Sequence, residues 1–182
     1  MPTHISLLRG VNVAGRTVRM AELQRIYDSL GFKNIQTYLQ SGNVLFESGR
    51  ADAEDLARQI ESAIKKSLGH TVSVLIRSPR DLRRIFGTNP FLQGRREDPS
   101  KLHVTFLESL SSRAALAGLT KPPGETGEFI AGAHEIFLFC PDGYGRTKVN
   151  NAFFERKLKT SATTRNWNTV VALFELANQS SA

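Results

Sequence analysis

Apolar positions along the chain fall into two successive runs in which strand-like alternation and helical spacing take turns. HISLLR, starting at position 4, reads as a short strand. Met20, Leu23, Ile26, Tyr27 and Leu30 then recur at helical spacing, and Gly31 supplies a stop. NIQTYLQ (34–40) and NVLFES (43–48) predict two strands joined by a tight hairpin around Ser41 and Gly42. Ala53, Leu56, Ala57, Ile60, Ile64 and Leu68 line a second helix that ends near Gly69, and TVSVLIR (71–77) closes the run as a strand. An order of β-α-β-β-α-β within 78 residues is that of the ferredoxin-like plait.

The second half repeats the order. KLHVTFL (101–107) is a strand, SSRAALAGL a short helix, and GEFIAGAHEIFLFC a hairpin turning near Gly132 and Ala133. KVNNAFFERKL is a helix, TSATTR a short extended piece, and NWNTVVALFELA a closing helix. The halves share little at residue level, so the duplication is one of topology. Residues 79–100, the short helix PRDLRRIF and the polar loop TNPFLQGRREDPS, form the boundary. The expected fold is α+β: two tandem ferredoxin-like (βαββαβ) plaits, residues 1–78 and 101–182, joined by the 79–100 connection and ended by a C-terminal helix.

Sheet faces are legible in part. Phe137 and Phe139 share one face of their strand, while Ile136 and Leu138 make the other face apolar too, which marks a strand covered on both sides. Leu8, Tyr38, Leu45 and Leu75 leave the non-helical face of the first sheet in need of a cover, whether another sheet or a second chain. The oligomeric state stays open. An RNA-recognition module is a plait of this order, but it needs aromatics on the exposed faces of its central strands. In the first half SGNVLFES offers only Phe46, so stacking on RNA is disfavoured.

Composition narrows the setting. Of 182 residues, 40% are hydrophobic, enough for a core, and no run of about 18 apolar residues predicts a membrane span. The N-terminal MPTHISLLRG lacks the build of a secretory signal. A single cysteine, Cys140, forbids an intrachain disulfide and fits a reducing cytoplasm; following the apolar IFLF, it reads as an inert buried thiol. The net charge of +7 suggests polyanionic partners but is spread thinly, with no basic tail. Arg77, Arg80, Arg83, Arg84, Arg95 and Arg96 make the one local concentration, read either as a solvated helix face or as a nucleic-acid contact.

GVNVAGRT (10–17) differs by one residue from the phosphate-cradling pattern G-x-x-x-x-G-K-[ST], with Arg16 in place of lysine. A true phosphate loop runs straight from strand into helix, within a parallel series. Here Val18 to Met20 intervene before the helix is secure, and a hairpin follows. Arginine's planar fork does not replace a lysine point charge. The glycines more simply allow positive φ in a sharp turn.

LLRGVNVAGRTVRM, TYLQSGNVLFES, the NPF at 89–91, GRTKVNNAFFERKL and ATTRNWNTV, in this order, resemble the signature blocks of a bacterial family, the domain-of-unknown-function family numbered 1697. The resemblance spans almost the whole chain. It implies a tandem α/β plait and brings no catalytic residues with it. One departure is AGRT, where relatives commonly carry a GGK-like sequence, so the basic position is filled by arginine.

No reaction is signalled, and whether the protein is an enzyme stays open. His4, His70, His103 and His134 lie far apart with no zinc-type pairing, no G-x-S-x-G elbow occurs, and Glu97–Asp98 beside Arg95 and Arg96 reads as a local ion cluster. His103 can face either side of its strand and reads as structural. No metal and no cofactor is called for. In ATTRNWNTV, Thr163, Thr164 or Asn166 can cap the helix starting near Trp167, and Arg165 offers a fork for phosphate or carboxylate. That segment is either an anion site or a plain cap with a surface arginine. GYGRTKVNN adds Arg146, Lys148, Asn150 and Asn151 on the same two readings. The leading expectation is a non-catalytic binding protein for an anionic small molecule or nucleic acid. Arg9, Arg16, Lys148 and Arg165 would supply charge, Asn12 and Asn166 amide hydrogen bonds, and Trp167 would stand beside them. The alternatives are an enzyme acting on a phosphorylated small molecule, and an assembly protein using an apolar sheet face.

Overall fold

A computed structural model describes residues 1–11, 17–39, 41–50 and 52–179. The chain divides into two units, one of residues 1–84 together with the chain from Leu173 onward, the other of residues 85–172. In the first unit, strands β1 (Thr3–Leu8), β2 (Lys33–Tyr38), β3 (Asn43–Glu47) and β4 (Val74–Arg77) form an antiparallel sheet in the order β2-β3-β1-β4. Helices α1 (Met20–Ser29) and α2 (Ala53–Leu68) follow β1 and β3. In the second, β5 (Leu102–Leu107), β6 (Glu128–Ala131), β7 (Glu135–Phe139) and β8 (Ala162–Asn166) form a second antiparallel sheet, ordered β6-β7-β5-β8. Helices α5 (Arg113–Ala117) and α6 (Asn151–Leu158) accompany it, and α7 (Trp167–Gln179) follows β8. With α3 (Pro79–Gly87) and α4 (Pro90–Gln93), the described residues form seven α-helices and two four-stranded sheets. The antiparallel pairing removes the parallel strand series that a phosphate-loop nucleotidase requires.

Local chemistry explains the boundaries. The Asp52 side chain accepts from the Asp55 amide at the start of α2, and Gly69 ends that helix in the left-handed conformation at φ 71°. Ser78 and Asp81 cap α3 reciprocally, the Asp81 carboxylate accepting from the Ser78 amide and the Asp81 amide donating to Ser78 Oγ. One expectation needs correction. Residues 88–100 are not simply loop, because Asn89 caps α4 through its side chain, Pro90 occupies the first turn, and Phe91 is fully buried. Pro99–Lys101 adds a 3-10 turn capped by Asp98.

The first core lies between its sheet and helices: Leu8, Val44, Phe46, Val74 and Ile76 meet Leu23, Ile26, Tyr27, Leu56, Ile60 and Ile64. Tyr27, Phe32 and Phe46 form an aromatic cluster with centroids 4.5–5.9 Å apart. In the second unit Leu107, Ile136, Leu138 and Ala162 pack with Phe153 and Phe154. The opposite sheet faces are also buried, at Ile5, Leu7, Leu45 and Leu75 in one and Leu102, Val104, Phe106 and Phe137 in the other. Leu8, expected on the first of these faces, instead packs under the helices.

Each sheet ends in the same device. Arg77 closes β4 and Arg165 lies in β8, both buried, and each donates from Nη1 to the carbonyl of the residue before it, Ile76 at 2.8 Å and Thr164 at 3.0 Å. A capping residue and a helix follow each arginine: Ser78 then α3, Asn166 then α7. The closing helix therefore has a counterpart in the first half, and the topological repeat is one element longer than six.

Candidate functional site

Two of the motif-bearing segments converge at one end of the first sheet. The loop leaving β1 and the β2–β3 hairpin are bonded where the Leu8 amide donates to the Gly42 carbonyl at 2.9 Å. A Cβ on Gly42, which has φ 75°, would stand 2.9 Å from Leu8 Cβ and 3.3 Å from Val11 Cβ, so only glycine permits this approach. The buried Asn43 side chain ties the hairpin by donating to the Tyr38 carbonyl (2.9 Å) and Ser41 Oγ (2.8 Å). Beside it Leu39 is 53% exposed at φ 57°, a conformation that a leucine rarely adopts. Half-buried Arg9 is fixed through its amide, which donates to the Ser73 carbonyl, and Gly10 turns the chain at φ 72°. Asn12 and Arg16 lie outside the described residues.

In the second unit, GRTKVNN and ATTRNWN also meet. Thr105 and Thr164 share a hydroxyl–hydroxyl hydrogen bond of 2.7 Å across β5 and β8, and Thr164 donates to Asn151 Oδ1 at the first position of α6. Lys148 is exposed, its Nζ donating to the Pro123 carbonyl at 2.8 Å and its amide to the Glu125 carboxylate. Asn166 is the cap of α7, Oδ1 accepting from the Asn168 amide at 2.9 Å. Trp167 is 4% exposed and stacks on Phe86, centroids 6.1 Å apart and rings 7° from parallel.

Arg165 is not a surface residue. It sits inside β8, opposite Val104 and 7% exposed, with Nη1 donating to Thr163 Oγ1 (2.7 Å) as well as to the Thr164 carbonyl. Burial pulls its pKa down to about 10, opposed by Tyr144. Of the six clustered arginines, Arg77 is buried as well. Arg95 grips both oxygens of Glu128 (2.6 and 2.9 Å) and binds Glu97 while lying over the Phe91 and Phe139 rings. A solvated basic helix face therefore describes only part of that set.

His103 shares this second site. It lies opposite Asn166 in the strand register, with Asn166 Nδ2 3.5 Å from Nε2, and its ring stacks on Tyr144 at 4.9 Å. Burial lowers its pKa below 6.5, against the Lys101 carbonyl, so the imidazole is neutral at pH 7. Its one sequence signal, a polar residue in an apolar strand, did not separate structural from functional use. Among the described residues no group of three or more His, Cys, Asp or Glu side chains could hold a metal ion, and no helix is long and apolar enough to cross a membrane.

Cys140 is buried, and burial raises its thiol from 9.0 to about 11, with the Glu125 charge adding and the Thr147 hydroxyl opposing. Two consequences follow in sign. Folded protein should react with iodoacetamide at pH 8 at least about tenfold slower than urea-unfolded protein. Stability should be full below pH 9 and decline as pH rises from 9 toward 11, because the fold holds the proton more tightly. Equal alkylation rates in the two states would remove the case for an inert thiol.

A mixed α/β fold with two four-stranded antiparallel sheets defines the class. Within it the chain belongs to the family described as Protein of unknown function (DUF1697), whose model matches residues 1–137. It is similar in structure to a conserved bacterial protein, SP0830 from Streptococcus pneumoniae, with a TM-score of 0.75 and 22% identity, covering 98% of this chain and 99% of that one. At that identity the likeness speaks for fold alone. No curated protein matches the sequence.

Proposed function

We propose that the protein is a non-catalytic, cytoplasmic binder of an anionic or phosphorylated ligand, built on two tandem ferredoxin-like plaits, 1–78 and 101–182, joined by 79–100. The strand orders β2-β3-β1-β4 and β6-β7-β5-β8 support the plait reading, with one helix after the first and one after the third strand of each set. The observation that carries the binding reading is the junction of the β1 loop with the β2–β3 hairpin. There the Leu8–Gly42 bond joins the segment that carries Arg9, whose amide donates to the Ser73 carbonyl, to the hairpin that carries the strained, exposed Leu39. Strain of this kind persists where the surroundings enforce it, and it gathers at ligand-binding loops. Taken by itself, the second unit presents an exposed Lys148 ammonium and the Asn166 amide as a candidate anion surface of its own. A small anion fits better than single-stranded RNA, because Phe46, Phe106 and Phe137 are buried and offer no stacking surface.

Inorganic phosphate and adenosine monophosphate, titrated at low chloride, test this reading. Each should raise Tm saturably, by the amount a ligand of millimolar or tighter affinity gives. Arg9→Gln should remove at least half of that rise, and Lys148→Gln should reduce it. A wild-type protein with no saturable shift, or an Arg9→Gln variant that titrates identically, would refute the proposal.

A further inference from the structure

A separate polar cleft of about 460 Å³ lies in the second unit, where the chain leaves β5 and where it leaves α6, lined by Glu108, Ser109, Glu155, Lys159, Thr160 and Ser161. That volume is within the range of roughly 300–1,000 Å³ typical of small-ligand sites. Its walls are bonded together. The Glu108 amide donates to the Ser161 carbonyl (2.9 Å), the Ser109 amide donates to Thr160 Oγ1 (3.1 Å), and the Ala162 amide donates to Glu155 Oε1 (3.0 Å). The hydroxyls of Ser109 and Thr160 are 2.8 Å apart and share one proton between them. Whichever donates, one O–H of the pair remains to be given elsewhere.

The charges in this cleft are mixed. Glu108 and Lys159 line it and are exposed, yet among the described residues neither side chain takes part in an ion pair. Lys159 also occupies the left-handed cap of α6, at φ 56° and ψ 38°, a position where glycine is the usual residue. A lysine kept there carries a conformational cost that glycine would avoid, and its ammonium is what glycine lacks. A simple anion entering the cleft would meet two carboxylates, and a simple cation would meet the lysine. A molecule bearing both charges matches both sets.

We infer that this cleft binds a small zwitterion, a free amino acid or a dipeptide, its ammonium against Glu108 and its carboxylate against Lys159 and the available hydroxyl of the Ser109–Thr160 pair. This site is independent of the anion site around Arg9. The test uses the full chain labelled with ¹⁵N, titrated with L-alanine and L-alanyl-L-alanine to about 20 mM, enough to occupy a millimolar site. Saturable amide shifts should centre on Ser109, Thr160 and Ser161 with at least one of the two. N-acetyl-L-alanine, which lacks the ammonium, and L-alaninamide, which lacks the carboxylate, should bind at least about tenfold more weakly, as loss of one charged contact requires. Lys159→Gly should fold with an unchanged or higher Tm while losing at least about tenfold in affinity, and Glu108→Gln should lose a similar factor. The inference fails if neither zwitterion shifts these amides, if a blocked probe binds as tightly, or if Lys159→Gly retains wild-type affinity.

Discussion

Gly42→Ala is expected to destabilise the protein by about 2–4 kcal/mol, the sum of a left-handed backbone penalty and an overpacked contact. The new methyl would lie 2.9 Å from Leu8 Cβ and 3.3 Å from Val11 Cβ, atoms next to the backbone that cannot swing aside like the tip of a long side chain. Gly69 provides the control. It has nearly the same φ, 71°, but nothing within 4 Å of an added Cβ, so Gly69→Ala should cost only the backbone share, about 1–2 kcal/mol. Urea unfolding of the two variants separates the terms. If Gly42→Ala is no worse than Gly69→Ala, the close approach between the β1 loop and the hairpin is not a constraint. The same substitution should also abolish phosphate stabilisation, since it pushes apart the two segments that frame Arg9.

Arg165→Ala is the second large effect, with an expected loss of about 2–4 kcal/mol from truncating a long buried side chain and leaving its hydrogen-bond acceptors unmet. The guanidinium is desolvated, as its pKa of about 10 reflects, and the bonds to Thr163 Oγ1 and the Thr164 carbonyl offset part of that cost. A surface arginine would change stability by no more than about 0.5 kcal/mol, so denaturant unfolding at pH 7 decides between the two. Loss of phosphate binding in this variant without loss of stability would instead return Arg165 to the role of an anion donor.

Arg165 shows where reading from the chain stops. TSATTR was legible as an extended piece, close to β8, and Asn166 as one of three candidate helix caps, because both depend on neighbours in sequence. Whether the arginine between them faces solvent depends on what covers the edge of the sheet, and side-chain periodicity does not carry that information. Arg77 fails in the same way, a charge at the end of VLIR that reads as exposed and is buried. Most strands, both hairpins and the ends of α1, α2 and α5 were legible because glycine and the apolar spacing mark them locally, whereas the end of α6 at Lys159 carries no glycine. The α4 turn was missed because a four-residue helix shows no periodicity, although Asn89 and Pro90 already spelled its start. The junction at Gly42 joins segments more than thirty positions apart, so the sequence displayed its two parts and not their meeting. His103 and Asn166 likewise meet only through the pairing of β5 with β8.

The outermost strands bear on how the protein keeps apart from its own copies. β2 and β6, with β4 and β8 at the opposite sides, are the edge strands of the two sheets, and a strand edge is a template on which another chain could add a strand. On β2 the pairing slips between Lys33 and Gln36, Asn34 takes φ 49°, and a lysine stands at the first position, so the rim is bent and charged. β6 is only four residues long, and its first residue, Glu128, is held by Arg95. These are the devices by which sheet proteins resist edge-to-edge polymerisation, and they make the β2 and β6 rims poor templates for an added strand despite the apolar faces of the sheets.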